Sequence, residues 1–381
     1  MNIGHEIGNV PNYVLNGLLN NGQPNWDVIE SFDWVERMQE CPQDAIYHAE
    51  GDVWTHTRMV IEELLNDTDY QRLEGNAQYI LFISALLHDI AKPVCTFKEN
   101  GRIKSPKHAA VGEKMTRELL WNADFEIREI ITSLVRLHGL PIWSIDKNNP
   151  QRSVISSSLR LPNEWLYLLA KADAKGRNCA DKADFLLRIE LFKEICLENE
   201  CFHNIKAFHN NHSRFKFFQT DIDNYPSMIY DDTAFEMIIL SGIAGSGKDS
   251  IQKKDFKDYP SVNLDAIREI HKIKPTDKDA QGKVVQIAYE QAKEYCRKKQ
   301  SFVWNSTNLT LDLRSKLIRT LSVYNPCFKI YYVETPIEKI FSRRQNDIPL
   351  DVLKRMIRQL DMPLSTEVHE VNCMRNGFST K

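Results

Sequence analysis

The chain is expected to be multidomain, with an all-α N-terminal domain followed by a C-terminal α/β domain built on a parallel sheet. Three observations predict this. Its 381 residues are too many for one ordinary core, since domains typically run to roughly 150 residues. The first two hundred residues place apolar side chains three or four apart, with little strand-like alternation. From residue 235 onward short apolar runs alternate with helical stretches, the pattern of parallel strands joined by crossover helices.

Taken in order, helices are predicted over residues 53–65, 77–90, 109–120, 126–137, 166–174 and 183–198. The segment 77–90 is apolar, lacks Gly and Pro, and is stopped by Pro93. A polar passage rich in His and Asn follows residue 200, then an acidic stretch with Pro226. The boundary falls between 205 and 234, giving domains of 1–225 (core about 40–200) and 226–381. In the second domain, strands are predicted at 235–240, 261–264, 301–304 and 328–333. Helices are expected at 248–256, 280–299 and 309–323, and the remainder is read as helical.

Composition narrows the class. With 42% hydrophobic and 27% charged residues, the chain can bury sizeable cores. Its longest apolar run, residues 79–87, is far short of the roughly 20 residues a membrane span needs. No signal peptide is read at the N-terminus, and the eight cysteines are scattered without a C-x-x-C pair, so a reduced, cytoplasmic protein with no membrane partner is expected. Net charge is −3, yet residues 1–225 carry −8 and residues 226–381 carry +5. The acidic half suits metal-binding carboxylates and the basic half an anion.

After the first strand of the second domain comes Gly242-Ile-Ala-Gly245-Ser246-Gly247-Lys248-Asp249-Ser250. A strand, GxxxxGK and then a helix is a phosphate-binding loop. Its glycines let backbone N–H groups close round phosphate oxygens, the helix N-terminus adds its dipole, and Lys248 reaches the β- and γ-phosphates. The sequence departs from the usual motif by placing Asp249 where Ser or Thr stands. Asp249 is a candidate Mg²⁺ holder, directly or through water, with Ser250 able to cover part of the role. The second strand runs into Asn263-Leu264-Asp265-Ala-Ile-Arg268. Asp265 is the natural acceptor for the proton of an attacking hydroxyl, with a helix cap or a hydrolytic Walker B aspartate as the other options. Arg268 is placed to hold an anionic group on the acceptor.

The set GIAGSGK, VNLDAIR, WNSTNL (residues 304–309), YVETP (332–336) and Arg343-Arg344 resembles the 5′-hydroxyl polynucleotide kinases over about residues 235–365. The resemblance implies a nucleoside triphosphate donor, ATP or GTP, with Mg²⁺. It implies Asp265 as general base, Arg268 on the phosphate next to the 5′-terminal nucleoside, and Asn308 as a substrate contact. It also implies a helical lid near Arg343 and Arg344, whose guanidinium forks would clamp the donor phosphates.

The helical half contains His56, the doublet His88-Asp89, His108, His138 and Asp173, each at or near the end of a predicted helix. Imidazoles with carboxylates suit divalent transition metals better than Ca²⁺. Singly, each histidine is as well explained by structure; jointly, the order H…HD…H…H…D points to a metal site. His48, eight residues before His56, is a candidate phosphate contact, with a loop histidine as the preferred reading. Lys92, one turn past Asp89, is a candidate phosphate contact, with a surface ion pair as the other option.

This half resembles the HD phosphohydrolase superfamily over roughly residues 40–200. The stretch GDVWTHT is also similar to the HD domains of some tRNA nucleotidyltransferases, which act on 2′,3′-cyclic phosphates and 2′-phosphates. The resemblance implies two metal ions bridged by Asp89, the first held by His56, His88 and Asp173 and the second by His108 and His138. They would activate a water for attack on phosphorus. Over nearly its whole length the chain resembles the bacterial HD phosphoesterase–polynucleotide kinase fusions. That implies a bifunctional enzyme that phosphorylates 5′-OH ends and hydrolyses 2′,3′-cyclic phosphate or 2′-phosphate ends of RNA or DNA, with a separate ligase as partner. Two other readings are a small-molecule P-loop kinase fused to an HD nucleotide phosphohydrolase, and a regulatory protein whose HD half senses a nucleotide.

Overall fold

A computed structural model describes residues 17–20, 22–220, 228–274, 276–343 and 348–375. The chain divides into two compact units, Met1–Ala207 and Phe208–Lys381.

The first unit is built on six main helices: α1 (Val53–Leu65), α2 (Ala77–Leu87), α3 (His108–Leu119), α4 (Phe125–Leu137), α5 (Asn163–Lys175) and α6 (Lys182–Glu198). Their starts follow from local chemistry. Asp52 caps α1 by accepting from the Thr55 N–H, and Asp124 caps α4 by accepting from Glu126 and Ile127. Helix α2 is the centre of the unit. Every side chain from Ile80 to Leu87 is buried, and α1, α4 and α5 pack round it. At about 1.5–3 kcal/mol for each large apolar side chain taken from water, that burial dominates the unit's stability.

Helix α2 ends three residues earlier than the apolar run 77–90 predicts. The chain turns at His88–Ala91 and restarts as a short helix, Lys92–Cys95, with Pro93 in its first turn. The all-α expectation also needs correction. An antiparallel hairpin pairs Phe97–Glu99 with Arg102–Lys104, and a smaller one pairs Leu19–Asn20 with Gln23–Pro24. In the first, Asn100 and Gly101 both take positive φ, 49° and 77°, which is the preferred two-residue hairpin turn.

In the second unit, α7 (Asn211–Gln219) precedes β1 (Glu236–Ser241), α8 (Lys248–Asp255), β2 (Ser261–Asn263), α9 (Leu264–Ile270), α10 (Lys278–Arg297), β3 (Phe302–Asn305), α11 (Leu311–Leu321), β4 (Cys327–Glu334), α12 (Ile337–Arg343), α13 (Leu350–Gln359) and β5 (Glu370–Arg375). Helix α7 lies before residue 226, yet it packs on this unit's sheet, with Phe215 stacked on His369 at 4.2 Å and tilted against Phe328 at 5.8 Å. The five strands are parallel in the order β2-β3-β1-β4-β5. Alternation along β1 sends Met237 and Ile239 to one core, with Val262, Val284 and Trp304. Ile238 and Leu240 go to the other, with Ile251, Val303 and Val333. Strand β5 corrects the expectation that the C-terminal remainder is helical. Its polar sequence, EVNCMR, fits because it forms the sheet edge beside β4 and is largely half-exposed.

Strand order places the carboxyl end of β1 between those of β3 and β4, where the connections diverge to opposite sides of the sheet. Open parallel sheets bind ligands at such points. Among the described residues no helix is long and apolar enough to cross a membrane, and all eight cysteines are free thiols.

Candidate active sites

In the second unit the loop after β1 wraps a cavity of about 360 Å³ at that point. Gly242 is required there on two counts: its φ is +145°, and a Cβ would collide with the Val333 carbonyl of β4. Gly247, with φ of 100°, precedes α8, and the Lys248 ammonium folds back to donate to the carbonyls of Gly242 (2.8 Å) and Ile243 (2.9 Å). Gly245, Gly247, Lys248, Asp249 and Ser250 all line the cavity, while Ser246 is buried with its carbonyl accepting from the Thr335 hydroxyl.

Asp249 does not stand loose in place of the usual hydroxyl. Asn305, buried at the end of β3, donates one amide to Asp249 Oδ1 at 2.7 Å and to Gln252 Oε1 at 2.8 Å. Asp249 and Ser250 both line the cavity and offer hard oxygen donors of the kind Mg²⁺ takes. Asp265 and Arg268 line it too, and they pair with each other at 2.6 Å, with Arg268 Nε donating to Gln281 at 2.9 Å. The capping role on α9 belongs to Asn263, which accepts from the N–H groups of Asp265 and Ala266, so the Asp265 carboxylate is left for other work.

Asn308 is not brought to the cavity. It is buried, and its amide donates to the Leu240 carbonyl at 2.6 Å, so its visible task is to hold the 306–309 segment against β1. Arg314 clamps the same segment through the carbonyls of Asn308 and Leu309 and a buried fork onto Glu367. Backbone at Arg343 closes α12, but its side chain and all of Arg344 lie outside the described residues, as does the proposed clamp.

In the first unit the six predicted residues converge. The donor atoms of His56, His88 and Asp89 lie within 4.8 Å of one another, and so do those of Asp89, His108 and His138, with Asp89 common to both groups. Helix ends do the positioning: His88 and His138 terminate α2 and α4, and His108 opens α3 after Lys107 in the left-handed region. Asp173 is brought beside His56 by close packing of α5 on α1. Gly176 sits so near Val60 that a Cβ would lie 2.8 Å from its backbone nitrogen.

The protonation pattern argues for a cation. His88, His108 and His138 each place Nδ1 on a backbone carbonyl one turn back, those of Ala85, Ser105 and Val135 at 2.7, 2.8 and 2.8 Å. A carbonyl only accepts, so Nδ1 carries the hydrogen and Nε2 is left as a lone pair facing inward. His108 and His138 then point two lone pairs at each other across 3.3 Å. Buried His88 Nε2 and Asp89 Oδ1 likewise have no hydrogen-bond partner. Burial, then His108 and His88, lowers the His138 pKa to about 3, so this ring is neutral near neutral pH and offers a lone pair to a cation. The donor set fits a divalent metal.

Second contacts complete the site. Burial alone would raise the Asp89 pKa, but Lys92, His88 and His108 hold it well below the usual range. Lys92 is committed to Asp89 (2.7 Å) and Gln43 (2.6 Å) rather than to a surface carboxylate. Asp173 meets His56 Nε2 at 3.0 Å and is gripped by the Arg177 fork at 2.7 and 3.1 Å. A cavity of about 620 Å³ opens over this cluster and is lined by His48, Asp89, Lys92, Arg136, His138 and Arg177, among others.

Glu50 is the residue that sequence reasoning missed. Its buried carboxylate lies 2.8 Å from His48 Nδ1 and 2.9 Å from His56 Nδ1, and accepts from the Asn178 N–H at 2.9 Å. No periodicity marks it, and the signal available was only its place between two histidines. A carboxylate behind a ligating imidazole fixes ring orientation and raises basicity. Glu50→Gln is expected to weaken divalent-metal binding by about 10- to 100-fold, measured by calorimetric titration of the metal-stripped chain. Unchanged affinity would remove Glu50 from the site.

The profile of the family described as AAA domain matches residues 237–363. A solved structure of a provisionally assigned kinase from Chloroflexus aurantiacus j-10-fl is 18% identical with a TM-score of 0.32, covering 39% of this chain and 88% of that one. No curated protein matches the sequence. With the loop geometry above, the profile match makes residues 237–363 of the C-terminal unit a P-loop, nucleotide-binding domain.

Proposed function

We propose that the chain is a bifunctional nucleic-acid end-healing enzyme. A kinase-like P-loop cavity and a buried imidazole–carboxylate cluster beneath a cationic cavity are encoded in one polypeptide, and this conjunction carries the reading. Cleavage of RNA through its 2′-hydroxyl leaves a 2′,3′-cyclic phosphate on one fragment and a 5′-OH on the other, so the two sites suit the two products of one break.

At the P-loop, the 5′ oxygen of the acceptor attacks the γ-phosphorus of ATP or GTP. The new O–P bond forms as the bond to the β,γ-bridging oxygen breaks, and nucleoside diphosphate leaves. Asp265 takes the hydroxyl proton, Lys248 and the loop N–H groups hold the donor, and Asp249 and Ser250 offer Mg²⁺ ligands. An acceptor phosphate engaging Arg268 would release Asp265 from its ion pair, so acceptor binding itself would free the base. Arg343 and Arg344 are assigned to the donor phosphates on sequence grounds.

At the other site, His56, His88, Asp89, His108, His138 and Asp173 are the candidate ligands. Bound divalent ions supply Lewis-acid charge and lower the pKa of water. A water oxygen adds to phosphorus while the bond to the ribose 2′ or 3′ oxygen breaks and that oxygen takes up a proton, which opens a cyclic phosphate to a monoester or releases inorganic phosphate from a 2′-phosphate. Lys92 keeps the Asp89 carboxylate ionised, and Arg177 and Arg136 give the phosphate cationic partners at the cavity.

The test is transfer of labelled γ-phosphate to a 5′-OH oligonucleotide with Mg²⁺. Transfer supports the reading. No transfer by the folded chain, or transfer only to a sugar or free nucleoside, would replace it with a small-molecule kinase.

A further inference from the structure

Trp143 is the one exposed tryptophan of the seven, with half its surface in solvent. It ends a short helix, Leu140–Trp143, whose other members Leu140, Pro141 and Ile142 are buried, so the helix is anchored and the indole is left outside. The helix begins directly after His138 and Gly139, which ties the ring to the imidazole–carboxylate cluster. Phe185 meets the indole edge-on at 6.2 Å, and the Arg188 guanidinium, itself held by Asp146 and Asp184, sits 5.8 Å from its centroid. Trp143 and Phe185 both line the large cavity. Folding does not need a bulky apolar ring in water, yet this one is braced where it stands.

The same rim carries Arg136 and an exposed Lys147, beyond the Lys92 and Arg177 that lie nearer the cluster. A phosphomonoester alone needs no aromatic surface, whereas a nucleotide brings a base that stacks and a phosphate that pairs. The cavity volume falls within the range of small-ligand sites. We propose that Trp143 is the nucleobase platform of this cavity, so that its ligand is the terminal nucleotide of a strand rather than a bare phosphoester. The proposal rests on the phosphoesterase reading of the site and adds its specificity.

Two measurements on the full chain test it. Hydrolysis of adenosine 2′,3′-cyclic phosphate is compared with that of glycerol 1,2-cyclic phosphate, which has no base. Trp143→Ala is expected to lower the ratio of their kcat/KM values about tenfold, mainly through KM, and Trp143→Phe to restore most of it. Binding of adenosine 2′-monophosphate by calorimetry in EDTA is expected to weaken by a similar factor in Trp143→Ala. A ratio and an affinity both unchanged in Trp143→Ala, or no nucleotide binding by the wild type, would overturn the platform. If the wild type hydrolyses neither substrate, the phosphoesterase reading fails, while the EDTA titration still decides the role of Trp143.

Discussion

Asp89→Asn is expected to lower phosphoesterase turnover by more than about 100-fold while leaving phosphoryl transfer intact. Loss of a carboxylate behind a ligand already costs about 10- to 100-fold in such sites, and Asp89 belongs to both donor groups, so its removal disables both. The substitution also strips the buried Lys92 ammonium of its counter-charge, 2.7 Å away. An unpaired buried charge costs roughly 3–5 kcal/mol, so a fall in the thermal midpoint of the metal-free chain should accompany the loss. The residues assigned to phosphoryl transfer all lie in the 208–381 unit, which is why the kinase assay is the control. Phosphoesterase activity near the wild-type level would exclude Asp89 as a ligand.

Asp265→Asn carries the second large effect. A positioned general base contributes about 10²–10⁴-fold, and the amide retains the size of the carboxylate without its basicity. The loss should fall on kcat, because Lys248 and the loop glycines, not Asp265, wrap the donor site. A steady-state assay varying ATP separates the two: kcat falls and KM for ATP stays within a few-fold. If KM for ATP rises as steeply as kcat falls, Asp265 serves the donor or its metal, and the Walker B option returns.

How far the sequence discloses this molecule depends on whether each signal is local. Helix α1 spans residues 53–65 as predicted, because its apolar spacing and its Asp52 cap are both written within fourteen residues. The hairpin at Asn100-Gly101 had an equally local turn signal that the helical texture around it masked. Strand β5 had none, for an edge strand of polar residues lacks the apolar run that marks β1 or β3. The convergence of His56, His88, Asp89, His108, His138 and Asp173 was readable as a pattern of residue types. Glu50 was not, since two histidines and a backbone N–H 128 residues away give it meaning. Asn308 shows what a motif leaves out. Its place in a motif suggested a substrate contact, and packing assigns its amide to the Leu240 carbonyl.

The central claim is that one chain repairs both sides of a break. It is tested most directly by a single RNA strand carrying a 5′-OH and a 2′,3′-cyclic phosphate, incubated with the chain, ATP, Mg²⁺ and a transition-metal ion. Mass spectrometry then reads both ends of the strand. The predicted product has gained a 5′-phosphoryl group and, at the other end, one water with or without loss of phosphate. Recovery of the strand with either end unaltered by the folded, metal-loaded protein would contradict the account.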